Sequence, residues 1–306
     1  MSGTAADEEE VLLARAPVAP DARVAYGDHP DQVVDLYRPP GTAYSPPAGR
    51  RTGPMVLLLH GGFWRVAYDR THLSPLAAAL ARDGLPVALA EYRRAGGGGG
   101  LPETFDDVTS AVRVAAAEAH RGTPVVVAGH SAGGHLALWT AARPGPATAA
   151  VAVAPVADLA RAHELRLSSG AVAEFLDGGA AAPLGRTALA ERIAATDPVR
   201  LAPRVPVTIL HGTADPDVPL ELSQRYARTH RGTGTATAAA PGRDGTGADA
   251  VLGGPVALHE LPGVGHYAAV TPGTEAYGAL RDALLGVLSG TPRPVPGGGE
   301  SGATGP

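Results

Sequence analysis

Gly129-His130-Ser131-Ala132-Gly133 fits the pattern G-x-S-x-G and stands where an apolar strand, Val125–Ala128, gives way to a helix opening at Gly133. Such a corner is tight and strained. Small neighbours let the backbone cross close to the sheet while the serine oxygen projects from its end, so Ser131 is the candidate nucleophile. His60-Gly61-Gly62-Phe63-Trp64 follows another apolar run, Val56–Leu59. Consecutive small residues there can turn backbone N–H groups toward a developing oxyanion. A serine hydroxyl also needs a base to take its proton and an acid to orient that base. Two downstream segments offer them: His211-Gly212-Thr213-Ala214-Asp215-Pro216-Asp217 after the strand Val207–Leu210, and Gly263-Val264-Gly265-His266 after Val256–Leu261. Asp215 is the candidate acid and His266 the candidate base. Asp217, two residues on, is the main competitor for the acid, and Asp158 a weaker one. An ordinary glycine-rich turn would explain either motif alone, but the two occur in order and each follows a strand. His60 and His211 close strands and are expected to hydrogen-bond loop backbone.

The elements that must hold these residues read as alternating short apolar runs and longer amphipathic ones. Strand-length runs buried on both faces are expected at Val56–Leu59, Val87–Ala90, Val125–Ala128, Ala149–Ala154, Val207–Leu210 and Val256–Leu261. Helices are expected at about His72–Arg82, Phe105–His120, Gly133–Ala142, Leu220–Thr229 and Glu275–Leu288. This alternation predicts an α/β fold with a mostly parallel sheet covered by helices on both faces. Arg23–Tyr26 and Gln32–Tyr37, separated by a five-residue turn, read as an N-terminal antiparallel hairpin. Residues 158–203 break the alternation with helical fragments at Gly170–Leu176 and Thr187–Ala195, the place for a small lid. One domain over 21–289 is expected, with an unstructured acidic tail at 1–20 and another tail at 290–306. Low-complexity loops are expected at Gly96–Gly100 and at 232–254.

Composition narrows the chemistry further. The 306 residues include no Cys, Lys or Asn. Disulfides, thiol nucleophiles, thiolate metal sites, Schiff-base lysines and Walker lysines are all excluded. No H-E-x-x-H pair or carboxylate-rich cluster is present, so no metal site is expected, and acyl transfer through a serine would need no cofactor. A net charge of −5 and an aromatic content of 4% give no footprint for nucleic acid. The opening residues lack the basic and apolar regions of a signal peptide, and no apolar run reaches the roughly 20 residues that span a bilayer. No membrane partner is expected, and a cytoplasmic location is. Ala-rich helix faces would suit the core or a second copy of the chain, which leaves a homodimer open.

Together these residues resemble the α/β-hydrolase superfamily, and more narrowly its esterase/lipase-like branch in the form found in kynurenine formamidases, where H-G-G-x-W replaces H-G-G-G. The resemblance covers about Arg23 to Leu288 and rests on His60-Gly61-Gly62-Phe63-Trp64, the Gly129–His135 segment, Asp215 in H-G-T-A-D-x-x-V-P, and His266 in G-x-G-H. It implies a Ser131, Asp215, His266 triad and an oxyanion hole built from the N–H groups of Gly62, Phe63 and Ala132. His60, Gly61, Trp64, Gly129 and Gly133 support the two motifs. It further implies a small-molecule acyl substrate, an ester or a formamide such as N-formylkynurenine, cleaved through an acyl-enzyme. Two other readings stay open: a prolyl oligopeptidase-type exopeptidase, for whose accessory domain the chain has no room, and a non-catalytic binding module, which would not need all three triad residues.

Overall fold

In a computed structural model, which describes residues 5–41, 54–178, 184–231 and 254–289, the apolar runs form one eight-stranded sheet. Its strands are β1 (Ala22–Ala25), β2 (Val33–Tyr37), β3 (Met55–Leu59), β4 (Val87–Ala90), β5 (Val125–His130), β6 (Ala149–Val153), β7 (Val207–Gly212) and β8 (Val256–Leu261). The spatial order is β1-β2-β4-β3-β5-β6-β7-β8. The hairpin strands β1 and β2 pair antiparallel, as do β2 and β4, and every pair from β4 onward is parallel.

The helices are α1 (Ala5–Leu13), α2 (Ser74–Arg82), α3 (Glu103–Glu118), α4 (Ala132–Ala141), α5 (Leu159–Glu164), α6 (Leu167–Asp177), α7 (Arg186–Thr196), α8 (Glu221–Thr229) and α9 (Glu275–Ser289). Alternation along each strand divides the core. Val56 and Leu58 of β3 pack with α2 and α9, whereas Leu57 and Leu59 pack with α3 and α4 on the opposite face. Parallel strands covered on both sides have no polar face, which is why their sequences are continuously apolar. No described helix is long and apolar enough to cross a membrane.

Four expectations need correction. The acidic stretch at 1–20, expected to be a tail, contains α1 and continues in contact with the domain. Leu12 is buried in the core, Arg15 Nη2 donates to the Pro272 carbonyl at 2.6 Å, and the Val18 N–H donates to Ser74 Oγ at 2.9 Å. Acidic composition concealed one core leucine and several distant partners. The glycine run Gly96–Gly100 is a packed turn rather than an inserted loop, because a side chain at Gly99 would strike the Arg93 backbone and one at Gly100 the backbone of Gly178. β8 is an edge strand, half exposed along its length with only Leu261 buried. The lid region holds a third helix, α5, capped by Asp158, whose carboxylate accepts the Arg161 N–H at 2.8 Å. The loop expected at 232–254, apart from Gly254, and the tail at 290–306 lie outside the described residues.

The helices of residues 158–203 join the rest of the domain through aromatic packing. Phe175 of α6 is fully buried and stacks on Trp64 at 4.7 Å between ring centroids, with Phe105 at 5.6 Å. Trp64 thereby ties the loop after β3 to α6.

Candidate active site

Ser131 lies between the end of β5 and the first turn of α4 with φ +56° and ψ −116°. A non-glycine residue held there costs roughly 1–3 kcal/mol and persists only where surrounding bonds over-determine it. Here the Ser131 N–H donates to the Val153 carbonyl at 2.9 Å, and its own carbonyl accepts from the His135 and Val156 N–H groups at 3.0 and 3.3 Å. The motif glycines are needed for approach: a side chain at Gly129 would run into the Gly133 carbonyl, and one at Gly133 into the Leu59 and His60 carbonyls.

Asp215 and His266, on the loops after β7 and β8, meet directly. His266 Nδ1 donates to Asp215 Oδ2 at 2.6 Å. The other carboxylate oxygen, Oδ1, accepts the Asp217 and Val218 N–H groups at 2.9 Å each. Burial alone would raise the Asp215 carboxyl, but hydrogen bonds from His211 and His266 hold it well below the usual carboxylate range. In a neutral ring that donates from Nδ1, the lone pair lies on Nε2, the form a general base needs. The two other candidate acids have other partners. Asp217 faces the phenol of Tyr267, and Asp158 caps α5 while its second oxygen accepts from Arg225 Nε.

Ser131 and His266 come together through His130. The His130 and His266 rings are 4.6 Å apart, and His130 Nε2 donates to the His266 carbonyl at 3.0 Å. Among the described residues the Ser131 hydroxyl makes no hydrogen bond to His266, a contact that commonly tightens only when substrate binds. Ser131 and His266 are each 2% exposed.

The loop His60–Trp64 lies against the serine: a side chain at Gly61 would sit 3.1 Å from Ser131 Cβ. Gly62, Phe63 and Trp64 follow one another at φ +100°, +48° and +57°, and the Arg65 N–H closes the turn on the Gly62 carbonyl at 3.0 Å. No described residue accepts from the N–H groups of Gly62, Phe63 or Ala132. The base of this loop is held by charge. His60 Nδ1 lies 2.8 Å from the Gly61 carbonyl and Nε2 lies 2.7 Å from Glu91 Oε1. Both ring nitrogens thus face oxygen acceptors, one of them the buried Glu91 carboxylate. Burial would raise the Glu91 carboxyl, yet the charge and hydrogen bond of His60, with Arg94 and the Arg70 N–H, pull it down to about 2. Stacking of His60 on Tyr92 at 4.4 Å completes the support.

Glu91, Arg70, Arg94 and Tyr92 were not anticipated as part of the site. A usable signal was present: Glu91-Tyr92-Arg93-Arg94 places charges directly after the wholly apolar strand β4. Among the described residues, no three His, Asp or Glu side chains come together as metal ligands.

His135, one turn into α4, has its Nε2 on the Thr196 carbonyl at 3.1 Å, and complete burial lowers it to about 4. The folded state therefore resists a proton that the unfolded chain accepts below about pH 6.5. Stability contributed by the neutral ring is present above that pH and lost as pH falls toward 4, on the order of 3 kcal/mol in all. His135→Gln keeps a donor for Thr196 and removes the titration. The stability gap between wild type and variant, from urea unfolding at pH 7.5 and 4.5, is expected to shift toward the variant at the lower pH.

Residues 42–229 match the BD-FAE family model, a span that holds Ser131 and Asp215 and ends before His266. Among curated proteins, the carboxylesterase/phospholipase LipF of Mycobacterium tuberculosis is 34% identical over 142 residues, 43% of this chain and 35% of that protein. The chain thus spans about a third of that relative's length. A truncated carbohydrate esterase from gut microbiota superposes with a TM-score of 0.66 at 17% identity, covering 90% of this chain and all of that one. Esterase B from Lactobacillus rhamnosis superposes at 0.64 and 21% identity, covering 92% of this chain and 90% of that one. At such identities the likeness is one of fold, and the fold is the α/β-hydrolase sheet expected above.

Proposed function

We propose, from the premise that this chain belongs to the BD-FAE family, that it is a carboxylic-ester hydrolase working through Ser131, His266 and Asp215. One observation carries the reading: the 2.6 Å bond from His266 to Asp215 beside a serine at a strained corner. His266 Nε2 takes the Ser131 proton as the oxygen attacks the acyl carbonyl, and Asp215 keeps the imidazole in the tautomer that can accept it. The developing oxyanion is met by the N–H groups of Gly62, Phe63 and Ala132, whose free state supports that role. The alcohol departs with the proton from His266. Water, activated by the same imidazole, then cleaves the acyl-enzyme.

Ester rather than formamide is favoured because the matched relative and the two structural neighbours carry esterase names. The test compares kcat/KM for p-nitrophenyl butyrate and N-formylkynurenine under one condition, alongside labelling by a fluorophosphonate. Faster ester turnover and a phosphonyl adduct on the Ser131 peptide are expected. A preference for the formamide would overturn the ester assignment, and an adduct elsewhere would overturn the nucleophile.

A further inference from the structure

Three backbone N–H groups from the far end of the chain converge on one carboxylate near its beginning. Glu8 of α1 accepts the Gly265 N–H at Oε1 and the Tyr267 and Ala268 N–H groups at Oε2, each at 3.0 Å. These donors flank His266 on both sides. They include the first N–H of the short 3₁₀ turn Ala268–Val270, a position with no partner inside its own turn. Hydrogen bonds to an ionised acceptor are roughly twice as strong as neutral ones, so a single side chain supplies a disproportionate share of this loop's order. The approach has required a glycine: a side chain at Gly265 would come within 2.6 Å of Glu8 Oε2.

The helix carrying Glu8 is itself anchored. Leu12, one turn on, is buried in the core, and Arg15 is tied to the Pro272 carbonyl just beyond the turn that Glu8 caps. On the inner side, His130 holds the His266 carbonyl. His266 is thus clamped by its own carbonyl from the nucleophile's strand and by its neighbours' N–H groups from α1. Its imidazole is left with one strong partner, Asp215.

We propose that Glu8 is a positioning residue for His266, and that α1 is an N-terminal strap which sets the imidazole against Asp215. The proposal rests on the reading of His266 as the base. Removing the carboxylate frees the main chain on both sides of His266 without touching the triad. The productive geometry is then populated less often, while substrate contacts stay as they were.

The experiment compares wild type with Glu8→Ala, Glu8→Gln and, as a control on the same helix, Glu10→Ala, whose side chain is exposed. Two quantities are read at matched folded fraction, checked by circular dichroism. One is kcat and KM on p-nitrophenyl butyrate. The other is the far-downfield proton resonance of the His266 Nδ1–H bonded to Asp215. Glu8→Ala is expected to lower kcat about tenfold to a hundredfold with KM within about twofold, the scale of a small misplacement of a catalytic group. The downfield resonance should broaden or vanish with it. Glu8→Gln keeps one acceptor oxygen and should fall between, and Glu10→Ala should match wild type. A Glu8→Ala enzyme with wild-type kcat and an intact downfield proton overturns the strap, as does a Gln variant no better than Ala. If wild type shows the downfield proton but no ester turnover, the hydrolase reading fails alone, and the resonance of Glu8→Ala still decides the strap.

Discussion

Ser131→Ala is expected to abolish ester hydrolysis and leave the fold intact. Removal of such a nucleophile lowers turnover by about a millionfold in a serine hydrolase whose remaining machinery is untouched, because the base and acid act only through that oxygen. The fold should be indifferent for two reasons. The strained φ of +56° is borne equally by alanine, whose β-carbon occupies the same place, and the lost hydroxyl makes no hydrogen bond among the described residues. The bonds that hold the corner, to Val153, His135 and Val156, belong to the backbone. The measurement is kcat on p-nitrophenyl butyrate with a thermal melt of the same sample. A variant that melts like wild type but keeps more than a few per cent of its turnover would place the nucleophile elsewhere. Residual activity far below that level is compatible with the reading, since N–H donors and bound substrate still speed attack by water.

The corner was legible because its requirements are local. A buried strand, a glycine on each side of the serine and a helix start are all properties of adjacent residues, and Gly129 and Gly133 are needed for contacts made within a few ångströms of the turn. The antiparallel hairpin before the sheet was legible for the same reason, as were the strand runs whose both faces are covered. β8 was misread as buried because the apolar Val256–Leu258 and Leu261 outweighed His259 and Glu260, the two residues in the run that marked an exposed edge.

Contacts across the whole chain left weaker traces. Glu8 sits in a run of three glutamates that composition assigns to solvent, and its value comes from N–H groups 257 or more positions away. Leu12 alone hinted that this run had a buried side. Glu91 belongs to the same class: a charge that ends an apolar strand reads as a strand boundary, whereas the structure gives it His60, Arg70 and Arg94 and makes it the base of the loop beside Ser131. In both cases a carboxylate organises backbone that carries the chemistry without touching the reacting atoms. The residues proposed for the reaction could be picked out by type and order, whereas Glu8 and Glu91 emerge only from geometry.

The choice between Asp215 and Asp217 was the point on which sequence order could not decide, and paired amide variants separate them. Asp215→Asn is expected to lower kcat about ten-thousandfold, the loss known for an orienting aspartate turned to an amide in a serine hydrolase. The amide oxygen can still accept the Asp217 and Val218 N–H groups that Oδ1 accepts now, so the loop should survive. Its NH2 would then face His266 Nδ1 as a donor. The imidazole is driven to carry its proton on Nε2, where it can no longer accept one from Ser131. Asp217→Asn alters a carboxylate that faces Tyr267 and leaves the acid–base pair alone, so kcat should stay close to wild type. The two variants are compared by kcat on p-nitrophenyl butyrate and by fluorophosphonate labelling rate, which reports activation of Ser131 independently of deacylation. Both should collapse together in Asp215→Asn. A collapse in Asp217→Asn with Asp215→Asn spared would make Asp217 the acid, and would require the two loops to rearrange before the serine can react.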